Sequence, residues 1–235
     1  MGADQRVLVI GGTRGTGYLI VNLLPRDGYR VRTLARKGAD AKEKLGPAVE
    51  IVEGDITKLE SLPGAMQDVD HIIFTAGVTQ RPADEPLVRA TNYEGVKNTL
   101  AAARDAGFNG RFLYMTTLGV TKSSPAATLL NLVIRNTTKW RKLAEDDIRR
   151  SGLDYTVIRA GILTNSPGGQ RAIEVSQDDY PLAFNFRISR ADVAEIFVQA
   201  LKHPITRRTT FDVVWAGGSQ RKGWDTLFGQ LKPDA

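Results

Sequence analysis

The chain begins with an unbroken apolar run, Val7-Leu8-Val9-Ile10, too short for a free-standing helix and of the length of a strand buried on both faces. Comparable β-rich stretches recur, and between them the apolar positions take helical spacing. The pattern predicts strands at 6–10, 30–34, 49–53, 70–75, 111–116 and 154–158. Helices fit between and after them at 15–25, 39–45, 58–67, 86–106, 126–151 and 190–202. Gly-bearing breaks at Asp27-Gly28, Ala106-Gly107 and Ser151-Gly152 mark helix ends. Strictly alternating strands and helices imply an α/β, doubly wound parallel sheet with helices on both faces, expected here as one domain over residues 1–235. In such sheets ligands sit outside the carboxyl ends of the strands, so residues following each strand are the ones to inspect.

The first of those turns carries the sharpest signal. Gly11-Gly12-Thr13-Arg14-Gly15-Thr16-Gly17 joins a buried strand directly to a helix, aiming unpaired N–H groups and a positive helix end at one point. Gly11 suits the tight turn, Gly15 the close approach of a pyrophosphate, and Gly17 the packing of helix on strand. The spacing is Gly-x-x-x-Gly-x-Gly, and Ile20 sits where the Gly-x-Gly-x-x-Gly fingerprint would place its third glycine.

This spacing resembles the N-terminal motif of the short-chain dehydrogenase/reductase superfamily, and further matches follow in order. Gly54-Asp55-Ile56 resembles the segment where the family places an aspartate near adenine, and Thr75-Ala76-Gly77 the one lining its cofactor cleft. Thr91-Asn92-Tyr93-Glu94-Gly95 is similar to the start of its fourth helix. Ser151 to Arg159 followed by Ala160-Gly161, together with Ser189-Arg190-Ala191-Asp192-Val193-Ala194, resembles the atypical branch that includes NmrA-like and flavin-reductase-like proteins. The resemblance implies a Rossmann fold with a small C-terminal substrate-side region and a dinucleotide held by Gly11, Thr13, Arg14, Gly15, Thr16, Gly17, Arg36, Asp55, Ile56, Thr75, Ala76, Gly77, Thr116, Ala160, Gly161 and Ile162.

The choice of dinucleotide turns on the end of the second strand. NAD sites usually hold the ribose with a carboxylate there, whereas Leu34-Ala35-Arg36-Lys37 offers none. Arg36 and Arg14 suit a 2′-phosphate, so NADP(H) is expected in preference to NAD(H). The chemistry is less legible. The superfamily's Tyr-x-x-x-Lys pair is matched literally only by Tyr93 and Lys97, which precede the fifth strand rather than following it. On the expected helix, Thr137 falls where the tyrosine would be and Arg141 where the lysine would be, with Lys139 and Lys142 as neighbours able to replace it after a register shift. Thr117 falls at the family's serine position, and Thr116 takes its place if the register differs by one; these two are the candidate catalytic residues.

Composition narrows the classes. The 235 residues carry a formal charge of +6, with 42% hydrophobic residues, and the pI is near 9.6. The basic residues are dispersed and lack interleaved aromatics, which disfavours nucleic acid. No apolar stretch approaches the ~18 residues of a membrane span. With no cysteine there is no thiolate chemistry, and no His pattern suits a metal. The absence of an apolar leader and of cysteine fits a cytoplasmic protein. Residues 162–188 read as a substrate flap over an apolar pocket, and 219–235 as a tail suited to dock on the body or on a second copy in a homodimer. Three functions fit: an NADPH-dependent oxidoreductase for a flavin, quinone or conjugated carbonyl, a non-catalytic NADP-binding regulator or assembly factor, and a sugar-nucleotide epimerase or dehydratase. The first, with an acceptor that needs little help with protons, is favoured because the resemblance to the atypical branch implies it and the cofactor carries most of the chemistry, while the absent Tyr and Lys speak for the second.

Overall fold

A computed structural model describes residues 4–78 and 84–234. Among them the strands are β1 (Arg6–Ile10), β2 (Arg30–Ala35), β3 (Glu50–Glu53), β4 (His71–Phe74), β5 (Arg111–Thr117), β6 (Asp154–Ala160), β7 (Ile162–Thr164), β8 (Ile173–Ser176), β9 (Arg187–Ser189) and β10 (Thr209–Trp215). The helices are α1 (Gly15–Leu23), α2 (Gly38–Leu45), α3 (Pro63–Met66), α4 (Glu85–Arg89), α5 (Gly95–Asp105), α6 (Pro125–Val133), α7 (Thr137–Arg150), α8 (Arg190–Lys202) and α9 (Trp224–Phe228).

Eight strands form one sheet in the order β3-β2-β1-β4-β5-β6-β10-β8, parallel except for β8, and β7 pairs with β9 in a small parallel ribbon. Alternate residues of each strand feed opposite faces. Val7, Val9, Ile73, Leu113, Ile158, Phe211 and Val213 pack with α1 and α8 residues such as Ile20, Val193 and Phe197. Leu8, Ile10, Ile72, Phe74, Phe112, Tyr114 and Val157 pack on the other side with Val96, Leu100, Ala144 and Ile148 of α5 and α7. The strand order reverses between β1 and β4, so their carboxyl ends, with that of β5, frame the crevice where such folds bind ligands.

The doubly wound parallel architecture is the one expected, with four local differences. The helix expected over 126–151 is broken: Asn136 is left-handed (φ 54°), and the Asn131 side chain accepts the Thr138 N–H at 3.0 Å, so α7 starts afresh. The helix expected over 58–67 is a 3-10 turn followed by the short α3, since Pro63 lacks the N–H that would continue the helix. Strand β10 had no expectation, because Asp212 interrupts its apolar run; the side chain is buried nonetheless. Nor is 162–188 a free flap, for β7, β8 and the first two residues of β9 lie within it and β8 closes the sheet edge. The C-terminal tail docks on the body: Phe228 is fully buried, 5.9 Å from the Phe211 ring.

Candidate functional site

The glycine loop leaves β1 with Gly11 at φ +88° and turns into α1 at Gly15 with φ +57°. A Cβ on Gly11 would lie 2.7 Å from the Ala76 nitrogen, so the turns after β1 and β4 touch backbone to backbone. A Cβ on Gly17 would collide with the Gly11 carbonyl oxygen and stand 2.5 Å from the Thr75 hydroxyl. That hydroxyl donates to the Ile10 carbonyl at 3.0 Å, so Thr75 braces the loop. Helix α1 starts without a side-chain cap and without an acidic residue in its first turn, and the Oγ1 of Thr16, buried there, has no hydrogen-bond partner. Unpaired N–H groups, an unopposed helix dipole and an orphaned hydroxyl together fit a dinucleotide pyrophosphate.

Around this loop stand three arginines. Arg14 and Arg36 are exposed, and neither is in an ion pair among the described residues; the carboxylate of Glu53, whose residue pairs with Ala35, is engaged by the Gly38 N–H at 3.0 Å. Arg190, which the sequence placed in the late-helix motif without a role, brings its Nε to 3.8 Å from the position a Cβ on Gly15 would take and donates to Asn165 Oδ1 at 2.7 Å. Asp55 turns one carboxylate oxygen back to the Thr57 N–H and hydroxyl, both at 2.9 Å. The Ile56 side chain packs beneath Gly95, and its carbonyl accepts from Asn98 at 2.8 Å. After β6, Ala160 O, Gly161 N and Ile162 N are bonded to Leu118 N, Val213 O and Phe186 O, so this stretch forms a wall.

At the end of β5 the two candidate threonines separate. Thr116 lies on the face of Tyr114 and α7; it is buried, and its Oγ1 has no partner. Thr117 continues the opposite face, that of Leu113 and Met115. The Tyr114 hydroxyl is close to Arg141 and Thr116 without hydrogen-bond geometry to either, and burial pushes its pKa up to about 12. Arg141 reaches back into the same corner: its Nη1 donates to the Met115 carbonyl at 3.1 Å, and its Nη2 is 2.5 Å from where a Cβ on Gly77 would lie. Thr116, Tyr114, Arg141 and Gly77 therefore meet at the crevice.

Other sequence candidates do not reach it. Thr137 is buried and its hydroxyl accepts the Asn92 amide at 2.9 Å, while Asn92 Oδ1 accepts Val78 N–H. Tyr93 stacks on Trp140 at 5.9 Å and carries the Lys97 ammonium over its ring rather than at its hydroxyl; burial, then Asp147, raises its pKa, so the literal Tyr-x-x-x-Lys match lacks the geometry of an acid. Lys139 lies over the Trp140 ring and Lys142 pairs with Asp146 at 2.8 Å, so neither takes the lysine's place. His71 accepts the Arg111 N–H, and burial lowers its pKa to about 4. Among the described residues no acidic or imidazole cluster suits a metal.

Beside the crevice runs a buried charge network that the sequence did not reveal. Glu145 of α7, fully buried, receives Arg159 at 2.7 Å and Arg149 at 2.9 Å, and Arg159 extends to Asp179 at 2.7 Å. Asp212 accepts the Tyr180 N–H on one oxygen; its other oxygen is orphaned, and burial raises its pKa to about 6. A carboxylate whose folded pKa is raised contributes its stability below the unfolded value near ~3.9 and loses it as pH rises through about 6. Asp212→Asn is therefore expected to gain stability relative to the parent between pH 4 and 7, by up to ~3 kcal/mol at about 1.4 kcal/mol per pKa unit. Urea unfolding across that range checks this; a difference that does not change with pH would refute it.

A glycine cradle on α1 with anion-ready groups around it defines a nucleotide-binding Rossmann protein. Residues 11–204 match the NAD(P)H-binding domain family, and the chain belongs to that family, within the atypical branch of short-chain dehydrogenases/reductases. Sanguinarine reductase of Eschscholzia californica is 31% identical over 264 residues, spanning 96% of this chain and 95% of that protein. The photosystem II assembly factor Ycf39 of Synechocystis is 30% identical over 218 residues, spanning 89% and 62%. ChuY, an anaerobillin reductase from Escherichia coli O157:H7, superposes with a TM-score of 0.75 at 22% identity, covering 91% of this chain and 98% of that one. Another relative is a chloroplastic protein of Arabidopsis thaliana, which removes support for a specifically cytoplasmic address. Among the described residues no helix is long and apolar enough to cross a membrane.

Proposed function

We propose that the protein is an NADPH-dependent reductase of a flavin, quinone or conjugated carbonyl. The observation carrying this reading is the corner beside Gly77, where the Arg141 guanidinium and the buried, unpartnered Thr116 hydroxyl both lie near the Tyr114 hydroxyl. The pyrophosphate is held by the glycine loop, Thr16 and Arg190, and the 2′-phosphate by Arg36 with Arg14. Bound NADPH supplies a hydride. Thr116 donates a hydrogen bond that orients an acceptor oxygen, and Arg141 holds negative charge there. Arginine does not titrate and Tyr114 is a poor acid at about 12, so the final proton comes from water. This division of labour suits conjugated acceptors and leaves simple ketones unreduced.

NADPH oxidation against a panel of flavins, quinones and enones tests the proposal. Thr116→Val is expected to slow turnover ~10- to 1,000-fold, the range for losing one orienting donor, while Thr117→Val and Tyr93→Phe stay close to the parent. Unchanged turnover in Thr116→Val would refute the assignment. Cofactor choice has its own check. Arg36→Ala removes charge-assisted hydrogen bonds of about 1.5–3 kcal/mol, so NADPH affinity should fall ~10- to 100-fold with NADH nearly untouched. Equal losses for both in calorimetry would place the 2′-phosphate elsewhere.

A second reading, a cofactor-binding assembly factor, is favoured by the engagement of Thr137 with Asn92, which leaves no acid at the superfamily's tyrosine position, and by the likeness to Ycf39. Such a protein would bind NADPH and oxidise it with no acceptor on the panel.

A further inference from the structure

Past β7 the chain folds over a depression of about 230 Å³ lined by Thr164, Ser166, Gln170, Arg171, Arg187 and Trp215. None of these residues belongs to the glycine loop or to the ends of β4 and β5. Arg171 and Arg187 are exposed and make no ion pair among the described residues, since the nearby carboxylates Asp192 and Glu195 are taken by Arg221. The depression is nonetheless held in shape. Trp215 donates its Nε1–H to Asp192 at 2.7 Å, the Arg171 guanidinium lies 4.7 Å from the centre of the Trp215 ring, and the Arg171 carbonyl accepts from Arg221 at 3.1 Å.

We propose that this depression binds the carboxylate or phosphate of a planar acidic ligand and forms the anion-holding arm of the acceptor site. Two guanidiniums, two hydroxyls and an amide supply donors in the fork geometry that oxyanions take, and the Trp215 ring offers apolar surface to the body carrying the acid. The volume is below the ~300–1,000 Å³ of sites that enclose a whole drug-sized ligand, and it suits one functional group. The position agrees: Thr164 and Ser166 of the lining flank Asn165, whose side chain accepts from Arg190, and Arg190 in turn lies beside Gly15 of the glycine loop. The substrate class is thereby narrowed to flat, conjugated acceptors bearing an acid.

Titration calorimetry on the full chain with NADP bound, using phenyl phosphate, benzoate and benzyl alcohol, tests the site without requiring turnover. The two acids are expected to bind and the alcohol not to, and the tighter acid identifies the preferred oxyanion. Arg187→Gln and Arg171→Gln should each weaken the acids at least tenfold and leave NADPH affinity unchanged. Equal binding of acids and alcohol, variants that do not affect the acids, or displacement of phenyl phosphate by NADPH would overturn the inference. Its turnover counterpart rests on the reductase reading: riboflavin 5′-phosphate should exceed riboflavin in kcat/KM at least tenfold, and Arg187→Gln should abolish that advantage. Acid binding without reduction of any acceptor would sink the reductase reading and leave the site standing. Reduction without acid binding would do the reverse.

Discussion

Glu145→Ala is expected to destabilise the fold by about 3–5 kcal/mol, as measured by urea or thermal unfolding. The carboxylate is fully buried and receives both Arg159 and Arg149, and Arg159 is itself buried. Removing it leaves a guanidinium in the interior with one ion pair among the described residues, to Asp179 at the margin, and the charge of nearby Asp212 to balance it. The loss therefore reflects an uncompensated charge rather than the worth of one ion pair. Glu145→Gln, which keeps an acceptor oxygen, should recover part of the loss. Glu145→Leu combined with Arg159→Met should recover more, because buried pairs replaced as a unit by apolar side chains are often neutral or stabilising. A loss below ~1 kcal/mol in Glu145→Ala would mean that water reaches Arg159.

Gly15→Val is expected to weaken NADPH by at least ~100-fold, which corresponds to about 2.7 kcal/mol, in a protein that still folds. At φ +57° a valine is strained, at a cost of roughly 1–2 kcal/mol. Its Cβ meets nothing closer than Arg190 Nε at 3.8 Å, so at that atom the strain is not compounded by collision. The branched side chain instead stands in the space between the loop and Arg190. Gly17→Ala makes the instructive contrast, since its Cβ collides with the Gly11 carbonyl and the lesion is in folding. Calorimetry with circular dichroism separates the two. Micromolar NADPH binding by Gly15→Val would show that the pyrophosphate does not approach there.

The sheet was legible because its central strands are buried on both faces and so appear as apolar runs, and the glycine loop because its spacing reflects a backbone demand. Residues that work through long side chains were harder to place. Arg190 lies 175 positions beyond Gly15 and reaches it only because α8 packs against α1. Arg141 was placed correctly on its helix, but nothing local to α7 indicates that its guanidinium bends back to Met115 rather than outward like Lys142. Likewise Asp212 looks like a break in a strand until Arg159 and Tyr180 are known to face it. Polar residues whose partners lie far away in sequence carry no periodic signature, and strand β10 was missed for that reason.

Arg159 grips Glu145 on α7 with one end and Asp179 with the other, so the helix carrying Arg141 and the segment walling the crevice share one guanidinium. The segment is also pinned by Ser124 to the Leu182 carbonyl at 2.6 Å and by Asp212 to Tyr180. Evolution would find these two walls of the crevice hard to alter separately. Changes in what the protein accepts should therefore accumulate at Asn165, Ser166, Gln170 and Arg171, on either side of Gly168 and Gly169, which pack on and bond to α8. A directed library confined to those four positions should shift acceptor preference while sparing the melting temperature, whereas an equal number of changes spread over 177–183 should shift the preference only with a loss of melting temperature.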